Sequence, residues 1–196
     1  MIDNNCCCDC SLKQGICILD EIISSNLVDN ISINYNIDQI TATITPSLYG
    51  NLLHINYTLD EIQISKDICI SKINFFKIVP VNEDYQSIVN ILNKYYQSPF
   101  CIYVNDCNEN CCCKDSFTNY LRDKYLEQDP QNRSFTLEFE SLGNNKNIPD
   151  SNDDDSSVVV SQLDDEIVWA IDLLNKTVYL ASLCQISSVY TSSIID

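Results

Sequence analysis

Residues 167–186 read IVWAIDLLNKTVYLASLCQI, a stretch with the composition of paired β-strands. It contains two apolar runs, Ile167 to Leu173 and Thr177 to Ile186, in which β-branched and aromatic residues are frequent. Asn175-Lys176 separates the two runs and predicts a hairpin turn. The end of the chain is therefore predicted to be β-structure.

Alternation of apolar and polar residues predicts further strands on the N-terminal side of this hairpin. The segment from Ile31 to Ile44 alternates with a one-residue shift, which predicts a bulge or turn near Asp38, and Pro46 and Gly50 predict another turn. Other predicted strands cover residues 53–64, 68–79, 100–104, 135–139 and 158–160, and helical spacing predicts helices at 13–27, 84–97 and 115–126. These elements predict an α+β, β-dominated fold of antiparallel sheets or a sandwich, with two or three short helices.

The length and hydrophobic content of the chain limit its domain organisation. With 196 residues, of which 45% are hydrophobic, it can bury a core that does not depend on disulfides. We expect residues 1–12 to form a flexible, cysteine-rich arm. Residues 13–196 are predicted to form a single β-rich domain, and any sub-boundary within it should lie near residues 80–98.

The charge of the chain argues against several classes of partner. The 28 acidic and 11 basic residues give a formal net charge of −17 and a sequence pI of about 4.1. Because such a surface repels phosphate groups, we expect no binding to nucleic acid or to anionic membranes. The chain starts without a basic segment followed by an apolar one, and no run approaches the ~18 apolar residues of a membrane span. We therefore expect synthesis in the cytoplasm without a signal peptide.

Twelve cysteines carry most of the functional information in the sequence. Nine of them fall into two dense clusters, at positions 6–10 and 101–113. Adjacent cysteines rarely bridge each other, because the geometry is strained, so a run of three thiols points toward several partners. Bonds between subunits are predicted for one set of residues: Cys6, Cys7, Cys8, Cys10, Cys107, Cys111, Cys112 and Cys113. Cys101 and Cys184 are further candidates, whereas Cys17 and Cys69 lie in apolar segments and are predicted to be buried core residues.

A thiolate metal site is the alternative interpretation of the same cysteines. Cys7 and Cys10 have C-x-x-C spacing, and Cys107 and Cys111 are four positions apart, which zinc or iron sites also use. The second cluster, however, ends in a triplet rather than in a second C-x-x-C pair, so the sequence supports no specific metal or other cofactor. Cross-linking between subunits remains the favoured hypothesis.

The residue types of common enzyme sites are scarce. His54 is the single histidine, it stands at a polar position of an alternating segment, and we expect a surface or strand-pairing role for it. The three glycines form neither a G-x-G-x-x-G nor a G-x-x-x-x-G-K motif. We found no spaced pair of acids suited to acid–base catalysis. The chain is therefore predicted not to be an enzyme.

Three segments of the chain show a pattern found in a known family. They are the start Cys6-Cys7-Cys8-Asp9-Cys10 with Cys17 in the helix that follows, the segment Ser98 to Tyr103 with Phe135 to Glu140 after it, and the end from Thr177 to Ile186 with Cys184 inside it. In these segments the chain resembles the cysteine-rich morphogenetic proteins of the bacterial endospore coat and exosporium. The resemblance implies self-assembly into a lattice or fibre locked by disulfides after the mother cell lyses. It also implies a final location on the spore surface, with copies of the chain itself and other cysteine-rich spore-surface proteins as partners.

Overall fold

The computed structural model describes residues 8–35, 38–42, 45–49, 52–59, 62–97, 119–123, 134–139, 146–149, 157–164 and 167–190. Among the described residues, helix α1 spans Cys8–Ser24 and helix α2 spans Tyr85–Gln97, and residues 119–123 are also helical. The strands are β1 (Val28–Tyr35), β2 (Asp38–Ala42), β3 (Thr45–Tyr49), β4 (Leu52–Leu59), β5 (Ile62–Cys69), β6 (Ile73–Pro80), β7 (Ser134–Phe139), β8 (Lys146–Ile148), β9 (Val158–Leu163), β10 (Ile167–Asp172), β11 (Thr177–Ser182) and β12 (Ile186–Tyr190). Short 3-10 helices occupy Ile70–Lys72, Val81–Glu83 and Leu183–Gln185. The predicted α+β, β-dominated fold class is confirmed.

The strands form two sheets. The larger, nine-stranded sheet has the order β12-β7-β9-β10-β11-β6-β1-β2, with β8 paired to β7, and it curls into a half-barrel. The smaller sheet has the order β3-β4-β5. Both are antiparallel throughout the pairs that the structure describes.

The hairpin of β10 and β11 lies in the middle of the large sheet, between β9 and β6. Its register runs from Ile167 opposite Ser182 to Asp172 opposite Thr177, and every residue of both strands is buried. Burial on both faces explains why the sequence here is continuously apolar rather than alternating. The predicted turn at Asn175-Lys176 is confirmed, because residues 173–176 form the turn. The second run is not one strand: β11 ends at Ser182, and a 3-10 helix leads into β12.

Successive residues of the central strands face two different cores. Trp169 and Leu180 belong to the core that α1, α2 and the small sheet cover, whereas Ala170 and Tyr179 belong to the core that β7 and β12 enclose. In the second core, Phe75 packs against Phe139 with ring centroids 5.2 Å apart and against Tyr179 at 6.0 Å. One sheet thus supports two hydrophobic layers, as the period of two along a strand requires.

Helix α1 packs closely on β10 and β11. Its buried residues are Leu12, Ile16, Ile18, Leu19 and Ile22. Gly15 faces the strands so closely that a Cβ there would lie 2.9 Å from both Cδ atoms of Leu180 and 3.2 Å from Cδ1 of Ile167. The helix begins at Cys8 rather than at the predicted Lys13, because Leu12, four positions before Ile16, joins the same buried face. The division into an arm and a domain stays a prediction.

Helix α2 follows the sequence prediction closely. Asp84 precedes it and accepts hydrogen bonds from Ser87, from the backbone N at 3.2 Å and from Oγ at 2.5 Å, as an N-cap does. Ile88, Leu92 and Tyr95 form its buried face. The predicted strand at 100–104 lies outside the described residues, and of the predicted helix at 115–126 only residues 119–123 are described, as helix.

The small sheet covers the first core with one face. Leu53, Ile55 and Ile68 point inward and are buried. Lys66, opposite Ile55 in the register, also points inward: its Nζ donates a hydrogen bond to the hydroxyl of Tyr35 and lies 4.8 Å from the centroid of that ring. The shift predicted near Asp38 corresponds to the connection between β1 and β2, where Tyr35 pairs with Asp38.

Candidate functional site

Most of the cysteines predicted to join subunits cannot be placed. Cys6, Cys7, Cys101, Cys107, Cys111, Cys112 and Cys113 lie outside the described residues. The backbones of Cys8 and Cys10 are in α1 and that of Cys184 is in the 3-10 helix before β12, but their side chains lie outside the described part of the chain. Their role in cross-linking therefore stays a prediction.

The two cysteines predicted to be buried core residues are placed; the prediction is wrong for Cys69, whereas Cys17 packs against the core but is only partly buried. Cys17 is half-buried against the first core, and its sulfur is disulfide-bonded, with the bonding partner outside the described side chains. Cys69 is exposed and free at the end of β5. It lies opposite Leu52, on the outward face of the small sheet, because it is one position out of phase with the buried Ile68.

The outward face of the small sheet carries the polar side chains that could do chemistry. Ser47, His54 and Asp67 stand opposite one another on three neighbouring strands. Nδ1 of His54 and Oδ1 of Asp67 are 2.7 Å apart, and both residues are at least one-third exposed. In the next row, Ser65 Oγ donates a hydrogen bond of 2.5 Å to Asn56 Oδ1. The face is thus a ladder of cross-strand polar pairs.

The row of Ser47, His54 and Asp67 has the residue types of a hydrolytic triad, but its contacts fit a strand pair better. A triad needs the base to reach the nucleophile, and among the described contacts only that between His54 and Asp67 is made. The exposure of Asp67 is 61%, so water screens the pair and its contribution to stability is small. The predicted pairing role of His54 is confirmed, and the absence of enzymatic activity stays a prediction.

Both edge strands of the small sheet contain a residue that disfavours pairing with an additional strand. Edge strand β3 contains Pro46, which has no N–H to give to a new neighbour. Edge strand β5 contains Lys66, whose charged end points inward to Tyr35. A strand added beside β5 would cover this ammonium group and remove water from it, which costs free energy. Sheet extension at these two edges is therefore disfavoured, and a contact between copies is better sought elsewhere.

The turn between β10 and β11 exposes two adjacent leucines, which we name the apolar tip: Leu173, 43% exposed, and Leu174, 64% exposed. Asp172 is 1% exposed and organises the turn. Its Oδ1 accepts hydrogen bonds from the backbone N of Leu174 and of Asn175, each 3.0 Å long, and its Oδ2 accepts one of 2.7 Å from Asn175 Nδ2. The sequence predicts Leu173 as the end of a strand and no role for the tip. Two adjacent leucines beside a turn are nevertheless a signal, since turns favour polar residues.

A second buried polar arrangement lies between α2 and β10. The hydroxyl of Tyr96 faces the indole of Trp169, but neither Tyr96 Oη nor Trp169 Nε1 has a hydrogen-bond partner of standard geometry. Burial, and then the nearby Asp164 carboxylate, raise the pKa of Tyr96 well above its ordinary value. The same two causes raise the pKa of Tyr95. Both phenols are thus held neutral by their surroundings.

Alkaline pH should therefore destabilise the protein, and replacing Tyr96 by phenylalanine should lessen that effect. In the unfolded chain the phenol ionises near its ordinary pKa of about 10. In the folded chain its pKa is raised, so the folded state keeps the proton and stability falls as pH rises above 10. Urea midpoints between about pH 8 and pH 11 would measure this. The exposed Tyr120→Phe variant is the control, and an identical pH profile for Tyr96→Phe and the unsubstituted chain would contradict the assignment.

No cluster of three or more histidine, cysteine or acidic side chains suited to hold a metal ion occurs among the residues that the structure describes. Of the helices described, none is long and apolar enough to cross a membrane. The described surface presents the exposed Cys69 thiol, the polar ladder and the apolar tip. Comparisons of the chain with family models, with curated proteins and with solved structures found no match.

Proposed function

We propose that this chain is a structural, self-assembling protein of a bacterial spore surface layer or appendage. Copies pack into a lattice or fibre, and intermolecular disulfides then make the assembly durable. The partners are copies of the chain itself and other cysteine-rich spore-surface proteins. Synthesis takes place in the cytoplasm of the mother cell, and oxidation follows after that cell lyses, since disulfides persist only in oxidising surroundings.

One observation carries this proposal: Cys69 presents a free thiol on the surface of the described fold. The thiol occupies the end of β5, where Ser71 Oγ lies 3.1 Å from its sulfur and no other described cysteine side chain bonds to it. An exposed thiol can be joined to a thiol of another molecule when an oxidant such as dioxygen takes up the two electrons and two protons that disulfide formation releases, whereas a buried thiol is out of reach. With twelve cysteines in 196 residues, several such bonds can form between neighbours.

The formal charge of −17 also bears on how such an assembly forms. It keeps separate copies apart in dilute solution and low salt, because like charges repel over about 10 Å at 0.1 M ionic strength. Salt or divalent cations screen this repulsion, and the copies can then approach closely enough for thiols to meet. A covalent bond makes the resulting contact resistant to dilution, which suits a protective layer.

The proposal is tested by expressing the full chain without a tag at its N-terminus and imaging it by negative-stain electron microscopy, with and without reductant. We expect ordered sheets or fibres that resist heat until they are reduced. Labelling of thiols with a maleimide, followed by mass spectrometry, should modify Cys69 in the reduced, dispersed chain and leave it unmodified in a fraction of the oxidised assemblies.

Two variants refine this test. A chain with Cys6, Cys7, Cys8, Cys10, Cys111, Cys112 and Cys113 replaced by serine should lose its heaviest bands on a non-reducing gel, and Cys69→Ser should reduce them less. A uniformly small particle in both oxidised and reduced samples would overturn the proposal. Metal analysis of that particle would then test the alternative of a thiolate-bound zinc or iron module, which should unfold when a chelator removes the metal.

A further inference from the structure

The apolar tip is not required by the turn in which it lies. Every described hydrogen bond of the turn to Leu173 and Leu174 uses backbone atoms: Asp172 accepts from the N–H of Leu174, and Lys176 Nζ donates to the carbonyl of Leu173 over 2.6 Å. Asp172 and Asn175 hold the backbone of the turn through these hydrogen bonds, in which the two leucine side chains take no part. The exposed parts of the leucines form a small apolar surface at the end of the hairpin.

The turn also holds the tip in a defined place. It connects two fully buried central strands, and the Asp172 carboxylate accepts hydrogen bonds from two of its backbone N–H groups and from the side chain of Asn175. Lys176 Nζ lies 5.6 Å from the ring centroid of Tyr85, which links the turn to the start of α2. A surface that is already ordered loses little conformational entropy when it binds, so it is suited to a contact.

We propose that the apolar tip is the non-covalent contact between two copies of this chain, tip against tip about a two-fold axis. This inference rests on the proposed self-assembly and identifies the surface at which the copies first meet. A two-fold contact brings the same patch together from both molecules, so the patch must be complementary to itself. Near the tip lie both a cation and acids, so such a pairing is open to two copies.

Charges of both signs lie near the tip. Asp172, the acid in the turn, is buried and its carboxylate accepts three hydrogen bonds, so it adds little repulsion at the surface. Lys176 supplies a cation beside the leucines, and the exposed Glu83 and Asp84 immediately precede Tyr85, whose ring the lysine approaches. Across a two-fold axis the cation of one copy can approach the acids of the other, with the leucines at the centre. For a chain of charge −17, such a patch is a favourable place to meet another copy.

The size of the tip predicts a weak contact. A stable interface of standard size buries about 800 Å² on each partner, and two partly exposed leucines supply only a fraction of that area. The contact should therefore be reversible and should depend on a covalent bond for durability. In this scheme, disulfides formed by the cysteines hold the copies together after the weak contact has brought them into place.

Sedimentation velocity of the full chain over a series of concentrations, in reductant and at moderate salt, tests the contact. We expect a monomer–dimer equilibrium whose dissociation constant falls as salt is raised, because screening reduces the repulsion between the two acidic bodies. The double variant Leu173→Ser, Leu174→Ser should raise that constant by about tenfold or more, since the tip would lose its apolar contact. The control Ile62→Ser removes an apolar side chain that is 65% exposed on the small sheet and should leave the constant unchanged.

A single variant, Leu174→Ser, guards against loss of folding, because Leu174 is 64% exposed and contributes little to the core. It should keep the melting temperature of the unsubstituted chain and still weaken the dimer. An unchanged dissociation constant in both tip variants would overturn the inference, while the proposed function would stand if oxidised samples still formed sheets or fibres. A chain that stays monomeric in reductant and forms no assembly when oxidised would overturn both.

Photo-cross-linking tests the two-fold geometry directly. A photoreactive amino acid in place of Leu174, in a chain mixed with an isotope-labelled copy, should form a cross-link to the labelled peptide that ends at Lys176. Tip-to-tip cross-links between unlabelled and labelled chains support the inference. Cross-links that join the tip only to another surface of the labelled copy would overturn it, because the contact would then not be the same on both partners.

Discussion

Replacing Trp169 by alanine should lower the free energy of unfolding by about 3–5 kcal/mol, a loss comparable with the whole stability of a marginal domain. Trp169 is fully buried on β10, in the core that α1 and α2 cover. Removing its ring deletes the largest side chain of that core and leaves a cavity that the flanking strands β9 and β11 cannot close. Chemical denaturation followed by circular dichroism measures the change, since the chain has no other tryptophan for fluorescence.

Trp169→Phe is the matched control for this prediction. Phenylalanine fills much of the same volume and removes the Nε1–H, which has no hydrogen-bond partner of standard geometry among the described residues. A buried donor without a partner costs about 1–3 kcal/mol, so its removal should offset part of the lost packing. We expect the phenylalanine variant to lie much nearer to the original chain than the alanine variant does. Equal losses for the two variants would show that the ring is not packed as the structure has it.

Gly15→Leu should destabilise the protein by about 3 kcal/mol, the upper part of the usual range for overpacking a core. A Cβ at this position already approaches the Leu180 side chain to 2.9 Å, so three further carbon atoms must push α1 away from β10 and β11. The better helix propensity of leucine, worth about 1 kcal/mol over glycine, offsets only part of this cost. Thermal melts measured by circular dichroism would check the loss.

Asp20→Leu is the control for the glycine prediction, because it adds the same side chain to the same helix at an exposed position. It should change the stability by less than about 0.5 kcal/mol. A Gly15→Leu chain as stable as that control would mean that α1 does not rest on the large sheet at Gly15. Since α1 begins at Cys8, the same result would also change the expected position of the cysteine-rich start relative to the fold.

The elements that could be predicted from the sequence are those in which one local signal dominates. Helix α2 was predicted within one residue of its start, because Asp84 caps it and Ile88 and Leu92 repeat at helical spacing. The hairpin of β10 and β11 was predicted because its apolar runs are interrupted at polar turn residues. The start of α1 was placed five residues too late, since Leu12 is a single apolar residue among polar ones and only its packing shows that it belongs to the helix.

The features of the candidate site could be predicted from the sequence less well than the fold. Cys69 lies in an apolar segment, and its exposure follows only from the pairing of β5 with β4, which turns Ile68 inward and Cys69 outward. Lys66 looks like an ordinary surface lysine in the sequence, whereas the fold points it inward to Tyr35, which is 31 residues away. The sequence predicts Leu173 as the last residue of a strand, because Leu173 and Leu174 continue an apolar run, and it assigns Leu174 to no element. The two leucines belong to the turn instead, because the side chain of Asp172 accepts a hydrogen bond from the backbone N of Leu174 and ends the strand there.

The sequence by itself determined the β-dominated class, the two main helices, the acidic surface and the concentration of cysteines, because each depends on composition or on the spacing of near neighbours. Only the tertiary structure decided that one curled sheet supports two cores, that Gly15 must stay small, that Cys69 is exposed and that two leucines project from a braced turn. The physical reason is that these features depend on contacts between residues far apart in the chain. The period of two along a strand says that its two sides differ, but only pairing with distant strands decides which side is buried.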